Sequence, residues 1–238
     1  MKALFAIALV LPACGDNIGK LAYTWNDDKL LCSTPVDDYE EAPNWGDIDD
    51  QLAAAAHYGW VALYHAHVPG TTVSRATLER LFDDADAQHL DYVEFRELVP
   101  GPPRAGIAFA FDDDEPDAWT SVADIIAEHH ARITLFVTRW QGIDDTGRAE
   151  IKQFFDDGAD VEPHTVNHIH APDYVGKNGL DAYMADEVLP SFQVLTDAGY
   201  PQAASFAYPF GDHSAELDRA LLEIVGTVRT TPGQCDQR

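Results

Sequence analysis

The chain has few basic residues. Its 15 lysines and arginines stand against 41 aspartates and glutamates, which gives the 238 residues a formal charge of -26. A surface this acidic repels phosphate backbones and anionic lipid headgroups. The sequence therefore excludes nucleic acid as a partner, and it excludes electrostatic attachment to a membrane. The hydrophobic content of 46% is that of an ordinary globular protein, and the length suits one large domain.

The apolar run near the N-terminus, residues 3–10, is too short to cross a bilayer, which takes about 20 residues. It follows Lys2 and is followed by a Leu-Pro-Ala-Cys box that ends at Cys14. This arrangement resembles a bacterial lipoprotein signal, with residues 1–14 as the signal peptide and Cys14 as the lipidation site. The resemblance implies export to the bacterial cell envelope and membrane attachment only through a lipid anchor. An ordinary secretory signal is the alternative.

Cysteine is scarce as well, with three residues in the chain. Leaving Cys14 aside, Cys32 and Cys235 remain, and an oxidising compartment permits them to pair. We expect a disulfide between them, with two unrelated thiols as the alternative. Residues 15–56 are acidic and carry Asn, Gly, Ser and Pro, so we predict that they form a tether in front of a folded domain spanning residues 57–238.

Short β-rich runs alternate with stretches of helical period from Trp60 onward. The predicted strands cover residues 60–64, 91–93, 106–111, 132–137, 160–162, 203–207 and 225–229. The predicted helices cover residues 74–88, 117–130, 146–155, 180–196 and 215–223. Such βαβ alternation predicts an α/β fold with a parallel sheet, either doubly wound or closed into a barrel. Polar residues cluster just after several strands, which favours the barrel, because catalytic loops meet at that face.

Two groups of polar residues could hold a metal ion. Asp112, Asp113 and Asp114 directly follow an apolar strand, and adjacent carboxylates repel one another unless a cation neutralises them. The alternative is an N-cap cluster for the next helix. His164 and His168 are four residues apart, which on a helical turn would put both imidazoles on one face. Two His and one Asp would leave open positions for water and substrate.

In combination these motifs resemble the polysaccharide deacetylases, carbohydrate esterase family four. The resemblance rests on Phe-Asp-Asp at residues 111–113, His-Thr-x-x-His at residues 164–168 and Phe-Ala-Tyr-Pro-Phe-Gly at residues 206–211. It covers about residues 59–230. It implies a distorted (β/α) barrel with about seven parallel strands.

The resemblance also implies roles for single residues. Asp113, His164 and His168 would bind the metal, and Asp112 would be the general base. The backbone N–H of Phe210 would help to bind the oxyanion. We expect a divalent transition metal, with zinc (Zn) first because the ligand set is borderline in softness, and with cobalt (Co), nickel (Ni) and iron (Fe) as alternatives.

The chain departs from the family pattern in several places. Asp114 stands where the family has glycine, and Ala204 stands where it has the arginine that orients the base, so Arg229 is the candidate substitute. The usual C-terminal Leu-x-x-His strand is missing. A Tyr-His segment ending at His65 resembles the strand that opens the permuted branch, typified by exported poly-N-acetylglucosamine deacetylases. This resemblance implies that His65, or less readily His67, is the general acid, and that strand 60–64 lies beside strand 225–229.

The function that follows from the resemblance is metal-dependent hydrolysis of N-acetyl groups on an N-acetylglucosamine-containing envelope or extracellular polysaccharide. The partner would be the acetylated polysaccharide. The missing arginine and the short C-terminus leave an alternative, a catalytically impaired glycan-binding protein of the envelope on the same fold. A calcium-binding surface protein that uses its Asp clusters is a further alternative.

Overall fold

The computed structural model describes residues 18–38 and 42–235. Its strands are β1 (Ala22–Tyr23), β2 (Leu30–Cys32), β3 (Thr34–Pro35), β4 (Val61–Ala66), β5 (Asp91–Tyr92), β6 (Gly106–Asp113), β7 (Thr134–Val137), β8 (Asp160–Pro163), β9 (Ser205–Ala207) and β10 (Thr227–Thr230). Its helices are α1 (Trp45–Tyr58), α2 (Arg75–Ala87), α3 (Pro116–Thr120), α4 (Ala123–Glu128), α5 (Asp145–Asp156), α6 (Ala171–Asn178), α7 (Leu180–Tyr183), α8 (Leu189–Asp197) and α9 (Ala215–Leu221). Within these ranges, no helix has the length and apolarity to span a bilayer.

Strands β4, β6, β7 and β8 are parallel neighbours in the larger of two sheets. The sequences of β4, β6 and β7 are largely apolar because both faces of the sheet are covered. Strand β8 differs, since it has the buried acids Asp160 and Glu162. Alternate residues Ala62 and Tyr64 of β4 face the outer core beneath the helices. The residues between them, Val61 and Leu63, belong to a second cluster on the opposite face, inside the barrel. The same alternation carries His65 to the inner face at the end of β4.

The segment 30–35 joins the two sheets. Its first half, β2, pairs in parallel with β10, which in turn pairs with β9. Its second half, β3, pairs in parallel with β4. Between β8 and β9, the Glu162 carboxylate accepts a hydrogen bond from the Ala204 N–H at 3.1 Å. The fold is therefore α/β, with mostly parallel strands arranged as a distorted barrel, and the predicted fold class is confirmed.

The N-terminal segment corrects two predictions. Residues 15–56 were expected to form a tether, but within the described chain β1, β2, β3 and α1 are part of the folded domain. Strand 60–64 was expected beside strand 225–229, but the segment 30–35 lies between β4 and β10 and pairs with both. Strands β1, β2 and β3 were missed because each has only two or three residues, which is too short to show the alternation of a strand.

A disulfide joins the two ends of the described chain. Cys32, at the end of β2, is bonded to Cys235, and their Cα atoms are 6.0 Å apart. This is the pair expected from the sequence. The bridge closes a loop across 203 positions of the chain, and it holds the C-terminal segment against the strand that closes the barrel. The predicted lipidation site, Cys14, lies outside the described residues.

Candidate active site

The sequence-predicted residues meet at the carboxyl ends of the parallel strands, where a barrel assembles its functional loops. The backbone there is unusually strained. Five non-glycine residues of this region have positive φ angles, namely Asp113 (89°), Arg139 (46°), Thr165 (68°), His168 (55°) and Phe210 (59°). Such conformations cost energy and persist where the surrounding structure imposes them. They lie at the ends of strands or in the loops that follow them, where the site residues are found.

Asp113, His164 and His168 form the first cluster. One oxygen of Asp113, Oδ1, lies 3.1 Å from His168 Nε2 and 3.8 Å from His164 Nε2. The three ligand atoms all lie within 4.8 Å of one another. The two imidazoles were expected to share a face of a helical turn, and this is wrong. The segment after β8 is a loop, and the left-handed residues Thr165 and His168 produce the convergence.

A hydrogen bond and burial keep the His164 ring in the protonation state that a metal ligand requires. His164 Nδ1 donates to the backbone oxygen of Ala207 at 2.8 Å, so the lone pair of the neutral ring is on Nε2, the atom that faces Asp113. Burial is the main cause that lowers the pKa of His164 to about 4, which keeps the ring neutral at physiological pH. Asp113 Oδ1 is buried and has no hydrogen-bond partner of good geometry. A neutral imidazole and an unpartnered carboxylate oxygen are the donors that a divalent transition metal takes.

The loop that carries His168 is fixed by a residue that the sequence did not single out. Glu187, from the π-helical turn Met184–Val188, accepts two hydrogen bonds from Asn167, one from its N–H at 2.8 Å and one from its side chain at 2.6 Å. Glu187 is almost fully buried. A π-helical turn is frequent at functional sites, but the helical period of residues 180–196 gave no sign of this one.

Asp112 is the centre of the second cluster. Its Oδ2 accepts a hydrogen bond from Arg229 Nη2 at 2.5 Å, and both side chains are buried. Its other oxygen, Oδ1, is buried without a hydrogen-bond partner. The guanidinium comes from β10, whose Arg229 is in register with Ala207 of the neighbouring β9. Ala204, where the arginine was expected, lies before β9 and bonds Glu162 instead. The guanidinium that contacts Asp112 Oδ2 therefore comes from Arg229 and not from position 204.

Two histidines from the end of β4 adjoin Asp112. Ligand atoms of His65, His67 and Asp112 lie within 4.8 Å of one another. His65 Nδ1 is 2.6 Å from Ser33 Oγ, and the ring is buried. Burial, together with the charge of Arg229, holds the pKa of His65 well below its usual value.

His67 is in a different environment from His65. Its Nδ1 is 2.5 Å from Asp37 Oδ2, and about a third of its side chain is exposed. Burial acts against its charge, but the hydrogen bond with Asp37 and the charges of Asp112 and Asp113 raise the pKa of His67 to about 9. Asp37 lies in the segment that was predicted to be a tether, so sequence reasoning missed it.

Phe210 stands beside the first cluster in the turn Pro209–Gly211. Its ring is half exposed at 49%, stacks on His170 at 3.9 Å and lies 4.6 Å from the His168 ring. The following residue must be glycine, because a Cβ on Gly211 would lie 2.8 Å from the backbone nitrogen of Thr231. This close approach fixes the turn against the end of β10.

Asp114 has a partner of its own. Its Oδ1 accepts a hydrogen bond from Arg139 Nη1 at 3.1 Å, so its charge is paired outside the cluster of Asp113, His164 and His168. The residue that departs from the family pattern therefore adds no unpaired charge to that cluster.

A family model, polysaccharide deacetylase, matches residues 100–226, more than half of the chain. No curated protein matches. The segment that matches includes Asp112, Asp113, His164, His168 and Phe210. The residues around Asp112 that come from β10, from the end of β4 and from the segment 30–37 lie outside it.

Solved structures with the same fold include a deacetylase from Streptococcus pyogenes, PplD, in complex with acetate. It is 14% identical with a TM-score of 0.56, over 71% of this chain and 92% of that one. IcaB from Ammonifex degensii is 16% identical with a TM-score of 0.56, over 73% of this chain and 93% of that one. A polysaccharide deacetylase from Bacillus cereus is 18% identical with a TM-score of 0.59, over 72% of this chain and 57% of that one. At these identities the likeness establishes the fold.

Proposed function

Because the chain belongs to the polysaccharide deacetylase family, we propose that it hydrolyses N-acetyl groups of an N-acetylglucosamine-containing polysaccharide in the cell envelope or outside the cell. The observation that carries the proposal is the pair of adjacent clusters at the barrel end. One offers Asp113, His164 and His168 with converging lone pairs. The other offers a buried carboxylate, Asp112, held by Arg229.

The first cluster would hold a divalent transition metal through Asp113 and the Nε2 atoms of His164 and His168. Zinc suits this mixed nitrogen and oxygen set, and cobalt, nickel and iron are the alternatives. When bound, such a metal supplies Lewis-acid polarisation of the acetamide carbonyl and makes water a stronger nucleophile at neutral pH. Proton transfer and part of the oxyanion binding are carried out by groups of this chain.

Asp112 acts as the general base. Arg229 holds Oδ2 and neutralises the buried charge, which leaves the unpartnered Oδ1 to accept the proton of the attacking water. The backbone N–H of Phe210, in the turn Pro209–Gly211, serves as an oxyanion donor. The departing amine requires a proton. His65, the residue predicted from the sequence, and His67 both adjoin Asp112 and are the candidates to supply it.

We also place the protein outside the cytoplasm, attached to the bacterial envelope by a lipid on Cys14. The apolar run before Cys14 supports this location, and so does the Cys32–Cys235 disulfide, because disulfides persist in oxidising compartments. The partner there is the acetylated polysaccharide, and the membrane is reached only through the lipid.

The test is release of acetate from a panel of glycans by the purified protein. Poly-N-acetylglucosamine and peptidoglycan present N-acetyl groups, and an O-acetylated glycan without N-acetyl groups is the substrate control. We expect acetate from an N-acetylated polymer, loss of release after chelation and recovery after zinc is returned. Asp112→Asn should retain metal and lose most turnover. Binding of the polymer with no acetate released under any metal would refute the hydrolase and support the glycan-binding alternative.

A further inference from the structure

The turn Pro209–Gly211, called here the oxyanion turn because it carries Phe210, packs against the end of β10 and the residues that follow it. Thr230 Oγ1 donates a hydrogen bond to the Gly211 backbone oxygen at 2.5 Å. Gly211 also lies so close to Thr231 that a Cβ would come within 2.8 Å of its backbone nitrogen. Phe210 has a φ of 59°, which a bulky residue adopts only where its surroundings impose it. The shape of the turn therefore depends on these neighbours.

Residues 231–235, which we call the C-terminal strap, make two further polar contacts beside the oxyanion turn. Gln234 Nε2 donates a hydrogen bond to Asp212 Oδ1 at 3.1 Å. The Gln234 backbone oxygen lies 3.1 Å from Nε2 of His213. Together with Gly211, these are three consecutive residues that contact the strap.

His213 links the strap to the body of the barrel. Its side chain is fully buried, and Nδ1 is 3.0 Å from Asp218 Oδ2 on α9. The other oxygen of Asp218 accepts a hydrogen bond at 2.9 Å from the hydroxyl of Tyr208, the residue just before the oxyanion turn. Carboxylate and backbone oxygens both accept hydrogen bonds, so each nitrogen of the His213 ring has an acceptor in place. The ring therefore connects α9 with the strap.

The Cys32–Cys235 disulfide anchors the far end of the strap. Cys32 is the last residue of β2, and its register partner in the neighbouring β10 is Thr230. The strap leaves β10 directly after Thr230 and is bonded at Cys235 to the strand beside it. A short segment that is fixed at both ends has few conformations left to it. The disulfide therefore restricts the residues that hold the oxyanion turn.

We propose that the C-terminal strap positions the oxyanion turn, with His213 as a positioning residue and the Cys32–Cys235 disulfide as the anchor. This inference rests on the proposed deacetylase function, in which the Phe210 N–H binds the oxyanion. Charge on that oxygen develops only as water attacks the carbonyl, so a displaced donor lowers the rate and leaves substrate binding unchanged. The disulfide then contributes to turnover as well as to stability.

The first arm of the test compares two replacements of His213. The side-chain nitrogen of glutamine can occupy the place of Nε2, so His213→Gln keeps a donor to the strap and loses the donor to Asp218. The side-chain nitrogen of asparagine can occupy the place of Nδ1, so His213→Asn keeps the donor to Asp218 and loses the donor to the strap. The pair thus separates the link to the strap from the link to α9.

His213→Asn should lower kcat on the N-acetylated polymer by about 10–10²-fold, the range for a displaced catalytic group, with KM and metal content unchanged. His213→Gln should retain most of the wild-type kcat. The matched control is His57→Asn, which replaces an exposed histidine near the end of α1, just before β4 begins. It should have the wild-type kcat.

The second arm opens the disulfide. Cys235→Ser removes the anchor and leaves Cys32 in place beside Ser33. It should lower kcat by a similar factor at a temperature where circular dichroism shows the protein to be folded. Because both changes release the same strap, Cys235→Ser combined with His213→Asn should lower kcat by less than the product of the two factors.

The third arm uses the purified protein without turnover. The Gly211 and Asp212 N–H groups donate hydrogen bonds to backbone oxygens within the turn, so their hydrogen exchange measures how firmly the turn is held. We expect exchange at both amides to be at least tenfold faster in His213→Asn and in Cys235→Ser. Amides of β6 should exchange at the wild-type rate.

The outcomes separate failure of the inference from failure of the proposed function. A wild type that releases no acetate from any glycan removes the proposed function, and the exchange rates still test whether the strap holds the turn. An active wild type in which His213→Asn and Cys235→Ser keep kcat within twofold overturns the inference alone. Unchanged exchange at the turn overturns it as well. So does an equal loss of kcat in His213→Asn and His213→Gln, because that pattern marks a role in packing and not a link to the strap.

Discussion

Replacing Arg229 by methionine tests whether the buried ion pair with Asp112 is built as described. The side chains are 1% and 3% exposed, and the Arg229 guanidinium lies over the Phe136 ring at 5.3 Å. Methionine keeps much of that packing, so the main loss is the charge. Removing one partner of a buried pair typically costs about 3–5 kcal/mol, because the other charge stays buried and uncompensated. For a domain of this size, the melting temperature should fall by about 6–20 °C.

A double-mutant cycle isolates the pair from the packing. Asp112→Asn removes the other charge, so the double variant contains neither. We expect the double variant to lose less stability than the two single variants together, with a coupling of about 1–3 kcal/mol. Arg75→Met is the matched control. It breaks the exposed pair with Asp124, and it should leave the unfolding midpoint unchanged within error.

The assay is urea unfolding at pH 7, followed by circular dichroism and tryptophan fluorescence with the disulfide intact. A chelator keeps metal from adding its binding energy to the folded state. Arg229→Met within about 1 kcal/mol of the wild type would refute the reasoning, since that is the range of a solvent-exposed pair. If Arg229→Met does not fold, the double variant with Asp112→Asn provides the test. It should fold if the uncompensated charge of Asp112 is what unfolds the single variant.

Three further predictions follow from the structure and the sequence. Asp113→Ala or His164→Ala should lose most bound transition metal while the protein stays folded, measured by elemental analysis, and an unchanged stoichiometry would remove the assignment. Replacing Cys32 and Cys235 by serine should destabilise the protein by up to about 5 kcal/mol in the chain-entropy model, given a loop of 203 positions, and an unchanged urea midpoint under non-reducing conditions would contradict this. Cys14→Ser should abolish incorporation of labelled fatty acid by the expressing bacterium. A wild-type protein that takes up no label would contradict lipidation and leave an ordinary secretory signal as the remaining interpretation.

Much of the barrel could be predicted because β4, β6 and β7 are largely apolar runs separated by stretches of helical period. The predicted strand 106–111 is observed as Gly106–Asp113, and the predicted helix 74–88 as Arg75–Ala87, where Ser74 caps the helix by accepting from the Thr77 N–H. One helix was predicted over residues 117–130, but two short ones are observed. The chain bends at Ser121 and Val122 between α3 and α4.

The candidate site was likewise predicted only in part. The spacing of His164 and His168 identified the cluster, but the expected helical turn was wrong. Thr165 has a left-handed backbone conformation, which residue type alone does not predict for a threonine. Arg229 was found because it ends a predicted strand. Asp37 and Glu187 carried no signal, because a carboxylate in an acidic chain is indistinguishable from the others until tertiary structure pairs it.

Closure of the barrel and assembly of the second cluster depend on the same short segment. Residues 30–35 pair with β4 on one side and β10 on the other, so they fix the distance between the strands that carry the two histidines and Arg229. The same segment places Ser33 between His65 and Arg229, and its continuation brings Asp37 to His67. Ser33 thus contacts both His65 and Arg229, and the hydrogen bond with Asp37 contributes to the raised pKa of His67. An N-terminal segment that failed to dock would therefore leave the first cluster in place but would disorganise the base and its proton donor, so loss of turnover should precede loss of metal.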